Sequence, residues 1–325
     1  MLRLAPDGKG SRQAFLTGEG LCWMGKMLIT GGTGFVSGYL ARYFVQQGWQ
    51  VWTLNRDSRD QMPGVTLIRA DRHQLGDTLH GLRFDAVIDA VAYDAPDMEK
   101  LLAALEGQPD YVLISSSAVY PETLPQPFSE DMPVGENRIW GAYGLGKVRA
   151  EEAARRLRPD SYILRPPYLY GPMQNLYREP FVFDCATAGQ PFYLPGDGSM
   201  PLQFNHIRDL CRLIDLLLDK RPQSRIYNTG DLQPVTIRQW VELCYQVVGA
   251  PCRFVSVSGE HPQRSYFPFY PYAYQLDVRR QQALLPELTP LLQGLRESWD
   301  WYRQNPQGVM KRDYAGYIAQ HLAGE

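Results

Sequence analysis

Tyr143 and Lys147 bracket the run Tyr-Gly-Leu-Gly-Lys, and on a helix two residues at that spacing share a face. A phenol with an ammonium beside it is a proton-transfer group that can be held as phenolate. A free phenol has a pKa of about 10, so populating phenolate near pH 7 asks for about 4 kcal/mol of differential stabilisation, which nearby positive charge supplies. Upstream stands the hydroxyl run Ser115-Ser116-Ser117-Ala-Val-Tyr120, its last serine 26 residues before Tyr143. Earlier still, Met27-Leu-Ile-Thr-Gly-Gly-Thr-Gly34 reads as a strand entering a glycine-rich turn. Without side chains, Gly31, Gly32 and Gly34 let backbone N–H groups approach a pyrophosphate at the positive end of the next helix. A dinucleotide cradle followed by a tyrosine base points to a redox enzyme.

The elements that must position these groups are legible as alternating short apolar runs and helical stretches. Strands are predicted over Lys26–Thr30, Trp49–Leu54, Val65–Arg69, Ala86–Ala90, Asp110–Ser115 and Asp160–Arg165, with helices over Gly38–Gln47, Asp97–Leu105 and Ala142–Leu157. That alternation describes βαβ units. The fold class is α/β, a Rossmann-type doubly wound parallel sheet with a smaller C-terminal substrate lobe. Residues 26–170 form the dinucleotide-binding domain, and 171–310 the substrate lobe, with return crossings onto the sheet over 205–230. Residues 1–25 read as a disordered N-terminal extension and 311–325 as a C-terminal tail. Beyond Gly171, helices are expected at Ile207–Leu218, Thr236–Val248 and Leu291–Gln304, and strands at Arg225–Asn228 and Arg253–Val257. The aromatic run Tyr266–Tyr274 either lines a pocket or covers the lobe junction, with packing favoured.

Bulk properties exclude several classes. With 33 basic and 35 acidic residues the formal charge is -2, which offers no field for general nucleic-acid attraction. No window approaches the roughly 18 consecutive apolar residues of a membrane span. Cys22, Cys185, Cys211, Cys244 and Cys252 are scattered without a Cys-x-x-Cys, which fits reduced thiols in a cytoplasmic protein. The histidines show no metal spacing, and no metal is expected.

Several motifs in one order make the chain resemble the extended short-chain dehydrogenase/reductase family, especially its NAD-dependent epimerase/dehydratase branch and the atypical members. They are Thr30-Gly-Gly-Thr-Gly34, Ser115-Ser-Ser-Ala-Val-Tyr120, Tyr143-x-x-x-Lys147, Leu164-Arg-Pro-Pro-Tyr-Leu-Tyr-Gly-Pro172 and Gly196-Asp-Gly198, with a final helix carrying Trp299 and Tyr302. The resemblance spans roughly Lys26–Asn305. It implies that Tyr143 is the catalytic acid/base, that Lys147 lowers its pKa and holds ribose hydroxyls, and that Ser116 orients the substrate oxygen. Ser117 takes that role if the strand end is shifted by one, and is otherwise expected at the substrate. It implies NAD or NADP as cofactor, held by Gly31, Gly32, Thr33, Gly34, Phe35 and Val36, by Ala90 and Val91, and by Ser115 and Pro166. Ser37 stands where a third close-packing glycine is expected, with Gly38 displaced by one.

At the end of the second strand Asn55-Arg56 replaces the acidic residue that would chelate ribose hydroxyls. Asn55 can bond one hydroxyl, and Arg56 can receive a 2′-phosphate or lie against adenine, which leans toward NADP while leaving NAD open. Asp71 is expected at the adenine edge, with a capping role as the alternative. Dehydratases of this group carry an Asp-Glu pair after the catalytic hydroxyl. Here Ser117-Ala118 stand there, so dehydration is not expected. Leu202 occupies the position of an arginine that binds the sugar nucleotide's diphosphate. Arg178 or Arg208 is the substitute donor and Arg264 a second phosphate contact or a surface residue, with Asn175 and Gln203 as further substrate contacts. The expectation is an NAD(P)-dependent epimerase acting on a nucleotide sugar by reversible hydride transfer at a secondary alcohol. A reductase of a sugar-like ketone shares the same three groups. The atypical branch includes chloroplast stem-loop RNA-binding proteins, so a non-catalytic RNA-binding or cofactor-sensing protein is a further alternative, though nucleic acid is disfavoured by charge. The apolar spacing of Asp97–Leu105 and Ala142–Leu157 allows a homodimer.

Overall fold

The computed structural model of the chain describes residues 24–323. Of the expected extension, residues 1–23 lie outside that range. Met24 and Gly25 are already tied to the approach of the second strand: Met24 N–H donates to the Gly48 carbonyl and Gln50 N–H to the Gly25 carbonyl, each at 2.9 Å.

In the first half, β1 (Lys26–Thr30) leads into α1 (Phe35–Gln46), then β2 (Gln50–Asn55), β3 (Thr66–Arg69) and β4 (Ala86–Asp89). There follow α2 (Ala95–Ala104), β5 (Asp110–Ile114), α3 (Gly141–Leu157) and β6 (Tyr162–Arg165). The strands are unbroken apolar runs because both faces of the sheet are covered: Met27, Leu28 and Ile29 are all fully buried. Helix α1 begins three residues before the expected Gly38, since Gly34 is extended and serves as its N-cap. Helix α2 begins at Ala95 rather than Asp97, because Asp94 and Asp97 form a reciprocal capping box.

In the second half come β7 (Tyr168–Tyr170), α4 (Glu179–Thr187), β8 (Phe192–Pro195), β9 (Pro201–Leu202), β10 (Phe204–His206), α5 (Ile207–Lys220) and β11 (Ile226–Asn228). They are followed by β12 (Val235–Thr236), α6 (Ile237–Val248), β13 (Phe254–Val257), α7 (Arg279–Leu284), α8 (Leu291–Tyr302) and α9 (Tyr314–His321). The stretch expected as a tail thus carries a helix, anchored by Tyr314 packing 4.8 Å from the Phe181 ring.

The main sheet runs β3-β2-β1-β4-β5-β6-β11, with every pairing parallel. Leu40 and Phe44 of α1 pack with Leu210 and Leu217 of α5 on one face. Met98 and Leu101 of α2 pack with Ala150 and Ala154 of α3 on the other. This is the expected doubly wound arrangement, and the order reverses between β1 and β4, where such sheets place ligands. The second lobe has its own core around Phe183, Phe204, Trp240, Phe267 and Phe269. Leu202 is buried in that same core, 1% exposed, so the position expected to face a diphosphate faces apolar side chains.

Two buried polar networks fix the sheet's carboxyl edge. Asp89 accepts from Thr30 at 2.6 Å, from Tyr111 at 2.8 Å and from Arg72 at 3.0 Å. Glu151 of α3 accepts from Ser115 at 2.6 Å and from Arg165 at 2.6 Å, and Arg165 donates on to Tyr120 at 2.7 Å. Among the described residues no helix is long and apolar enough to cross a membrane, and no group of three or more His, Cys, Asp or Glu could hold a metal.

Candidate active site

The sequence Thr30-Gly-Gly-Thr-Gly turns sharply at the carboxyl end of β1. Gly31 and Gly32 have φ of +88° and +98°, and a Cβ on Gly32 would fall 2.5 Å from the Thr53 methyl. Side chains are excluded there both by conformation and by space. Ser37 is buried behind the turn, and Gly38 beneath it approaches the Gly32 carbonyl, so the displaced glycine still does the packing.

The turn opens into a cleft of about 380 Å³ whose floor includes Gly34, Phe35 and Val36 at the N-terminus of α1, which has no acidic residue in its first turn. Ala90, Val91, Ser115, Ser116, Pro166, Tyr143 and Lys147 line the same cleft, as do Asn175 and Arg178 from the loop after β7. The three expected catalytic groups are therefore brought together beside the glycine turn.

Their placement follows from how α3 docks. Gly144 and Gly146 lie against carbonyl oxygens: a Cβ at Gly144 would stand 2.6 Å from the Ala118 oxygen, and one at Gly146 only 2.2 Å from that of Tyr93. The glycines flanking Leu145 thus let the helix approach close enough for Lys147 to reach between β4 and β5. Its ammonium donates to the Ala92 carbonyl at 2.7 Å and the Ile114 carbonyl at 2.9 Å. Burial pushes the Lys147 pKa down to about 8, opposed by Asp89 and Glu151. Tyr143 is 44% exposed, its ring opening onto the cleft. Desolvation raises its hydroxyl above the ordinary value, while a hydrogen bond with Ser116 and the charge of Arg178 pull it down. The Lys147 ammonium lies 6.0 Å from the centre of the Tyr143 ring, and Arg178 is a second cation acting on the phenol. With the residue so open to the cleft, a bound positive charge can reverse the rise.

Other expected contacts are placed differently. The Asn55 amide donates to the Gly31 carbonyl at 2.6 Å and to Gln61 at 3.0 Å, so it braces the turn instead of offering itself to ribose. Arg56 is exposed at the end of β2, outside the cleft lining. The Asp71 carboxylate accepts from His73 N–H at 2.9 Å in the turn after β3, and no helix follows there for it to cap. Ser117 is buried, 3.3 Å from the Tyr274 hydroxyl, and the lining passes to Ser116. Gln203 is spent on the backbone, donating to the Asp231 carbonyl at 2.8 Å and accepting from Leu276 N–H at 2.8 Å. Arg264 stacks over Tyr270 at 4.8 Å, outside the lining. Thr33 faces an adjoining hollow of about 400 Å³ with Arg59, Trp301 and the strap Gln307–Met310. That strap is clipped to the cleft loop by Met310 N–H, which donates to the Asn175 carbonyl at 2.9 Å.

Sequence reading missed Tyr93, which lines the cleft with the Lys147 ammonium 4.9 Å from its ring centre. Its signal was its place just past Ala90-Val91 at the end of β4. Arg59 was missed as well, its signal being only a second arginine after β2.

This fold and cleft define a dinucleotide-type α/β protein. Residues 27–230 match the model of the NAD dependent epimerase/dehydratase family, and the chain belongs to that family. It is 25% identical over 301 residues to the chloroplast stem-loop binding protein of 41 kDa b of Arabidopsis thaliana, covering 85% of this chain and 78% of that protein. It is 26% identical over 329 residues to dTDP-4-dehydro-6-deoxy-D-allose reductase of Streptomyces bikiniensis, covering 87% and 98%. Among solved structures it is similar to UDP-glucuronic acid 4-epimerase from Bacillus cereus in complex with NAD, with a TM-score of 0.64, 19% identity, and 86% and 99% coverage.

Proposed function

We propose that this protein is an NAD(P)-dependent epimerase that acts on a nucleotide sugar by reversible hydride transfer at a secondary alcohol. The observation that carries the reading is the convergence of Ser116, Tyr143 and Lys147 in one cleft with the glycine turn at the start of α1. Gly31 to Val36 would hold the dinucleotide's pyrophosphate, Ala90 and Val91 its central portion, and Lys147 with Pro166 the nicotinamide half. When bound, the nicotinamide accepts hydride and returns it.

Ser116 donates to the substrate oxygen and holds it beside the Tyr143 hydroxyl. Tyr143, as phenolate, takes the alcohol proton while the carbinol is oxidised, and gives it back when the ketone is reduced. The positive charges of Lys147 and Arg178, together with that of the oxidised nicotinamide, favour the phenolate. Lys147 at about pKa 8 is predominantly charged at neutral pH, and its two carbonyl bonds fix where it meets ribose. Ala118 leaves no carboxylate after the serines to drive loss of water, which favours epimerisation over dehydration.

Purification without added nucleotide, identification of retained cofactor, and incubation with a panel of nucleotide sugars test this reading. Retained NAD with isomer exchange and no net change in reduced-cofactor absorbance supports the epimerase. Stoichiometric oxidation of NADPH or NADH on adding a ketone selects the reductase. The likeness to a stem-loop binding protein favours a second reading, RNA binding, which stem-loop retention without either reaction would select. The homodimer is a further proposal. The outer faces of α2 and α3 are bridged by Arg149–Asp94 and Arg156–Glu99 pairs, and mass in dilute solution decides whether they meet a second copy.

A further inference from the structure

Tyr93 lines the cleft, yet the chemistry of Ser116, Tyr143 and Lys147 leaves it without a task. It follows β4, and its backbone is held from three sides. Its N–H donates to Asp97 at 2.7 Å, and its carbonyl lies against Gly146 of α3. The carbonyl just before it, that of Ala92, accepts from Lys147 at 2.7 Å. The ring therefore has little freedom at its root, although it is 55% exposed.

What the ring meets is the Lys147 ammonium, 4.9 Å from its centre, whereas the Tyr143 ring centre is 6.0 Å from the same ammonium. The two ring centres lie 6.5 Å apart, so the phenols and the charge form one triangle. Attraction of a cation to a ring face reaches to about 6 Å and is strongest where water is excluded. Tyr93 is well inside that range, Tyr143 is at its limit, and Lys147 is only 3% exposed. The carboxylates that bear on the ammonium are committed to other donors. Asp89 of β4 accepts from Thr30, Tyr111 and Arg72, and Glu151 of α3 from Ser115 and Arg165. Asp97 of α2 accepts from the N–H groups of Tyr93 and Asp94, and the charge of Arg72 opposes all three. Two of the ammonium's three N–H groups go to the carbonyls of Ala92 and Ile114. The Tyr93 ring is not committed in this way. Partial burial holds its hydroxyl above the ordinary phenol range, so it faces the ammonium as a neutral phenol.

We infer that Tyr93 is a fourth working residue of the site, a positioning residue whose ring face seats the Lys147 ammonium beside Tyr143 and favours its charged form. What that lysine then does rests on the dinucleotide reading of the cleft; the seat itself rests on the contacts around β4 and α3. The seat matters because burial has already brought Lys147 down to about 8. A further fall of about one unit would leave half of it neutral near pH 7, where it must hold ribose and support the phenolate.

The test titrates the full-length protein, isotopically labelled at the lysine Cε, whose NMR shift follows ionisation of the ammonium. The Lys147 signal is the one missing from Lys147→Met. Tyr93→Leu keeps apolar bulk without a ring face and should lower the Lys147 midpoint by about one unit, whereas Tyr93→Phe keeps the face and should leave it in place. A midpoint unchanged or raised in Tyr93→Leu, or an equal fall in Tyr93→Phe, would overturn the inference. Titrations with NAD and NADP should follow the lysine. Tyr93→Leu should match the unsubstituted protein at pH 6 and bind up to about fivefold more weakly at pH 8, because the charged lysine is the stronger donor to ribose. A deficit of equal size at both values would also overturn it, since a ring that merely packed against the ligand would act at any pH. Should neither dinucleotide bind any of these proteins, the NAD(P) reading fails by itself, and the lysine titration still decides the role of Tyr93. Thermal unfolding of each variant confirms that the compared proteins are folded.

Discussion

Two regions of the molecule treat their buried carboxylates in opposite ways. On the sheet's carboxyl edge the Asp89 and Glu151 carboxylates are surrounded by donors from neighbouring elements. Around β7 and α4, both oxygens of Glu179 and the hydroxyls of Tyr168 and Tyr170 are buried without a hydrogen-bond partner. Asp89 is held below the usual carboxylate range by Arg72 and its hydrogen bonds despite its burial, whereas burial pushes Glu179 up to about 7. A satisfied network fixes one geometry, and here it fixes the sheet edge that borders the cleft. Unused hydrogen-bonding capacity adjoins the loop that would meet the variable part of a ligand.

The sharpest way to break this contrast starts at the chemistry. Tyr143→Phe should lower turnover on order of 10³-fold while cofactor affinity changes little, since the proton is lost and the ring packing is kept. Single-turnover kinetics beside a cofactor titration read both, and near-normal turnover would refute the assignment. Next is Glu151→Gln, which leaves Arg165 buried without its counter-charge. A loss of about 3–5 kcal/mol in denaturant unfolding is expected, as for other broken buried pairs.

Glu179→Gln should act with the opposite sign. The folded pKa of about 7 lies above the ordinary 4.5, so the native state holds a proton that the unfolded chain releases. Stability from the neutral acid is fully present below pH 4.5 and is lost as pH rises through about 7. Glutamine should therefore raise stability by up to about 3 kcal/mol at pH 8 and hardly change it at pH 4. Melting curves at the two pH values decide it, and equal shifts at both would show that Glu179 is not strained by its charge. The smallest effect belongs to Gly146→Ala, whose added carbon meets the Tyr93 carbonyl. About 1–3 kcal/mol of destabilisation is expected, with weakened cofactor binding as Lys147 shifts. Unchanged unfolding and cofactor affinity would mean that the close docking of α3 is dispensable.

The same divide explains what could be read from the sequence. Strands such as Met27–Ile29, covered on both faces, declare themselves by composition, and the glycine turn is visible because only glycine tolerates Gly31 and Gly32 there. Ser116, Tyr143 and Lys147 were findable because their spacing is set by one helix and one strand end. The substrate side was harder. β7 and α4 lie within a proline- and glycine-rich stretch whose periodicity is broken. Gln203 looked available as a polar residue near a cleft, yet it is consumed by backbone groups of residues distant in sequence, Asp231 and Leu276. Asn55 misled in the same way, since its partner at Gly31 lies across a strand pair. Arg178 is legible as a cation, but that it lies on Tyr168 and Phe269 depends on a strand and a loop nearly a hundred residues apart. Local patterns announce what a neighbouring turn determines. Pairings across the lobe do not.

The clip between Met310 and Asn175 bears on the order in which the protein acquires its cleft during synthesis. The glycine turn, Ser116, Tyr143 and Lys147 are all made by residue 147, and their sheet is completed by Asn228. The loop bearing Asn175 and Arg178 is secured from the far end of the chain, so a ribosome-bound chain halted at residue 300 would carry the proton-transfer groups without the bond that holds this wall. The wall that carries Asn175 and Arg178 is then the last part of the cleft that the growing polypeptide secures.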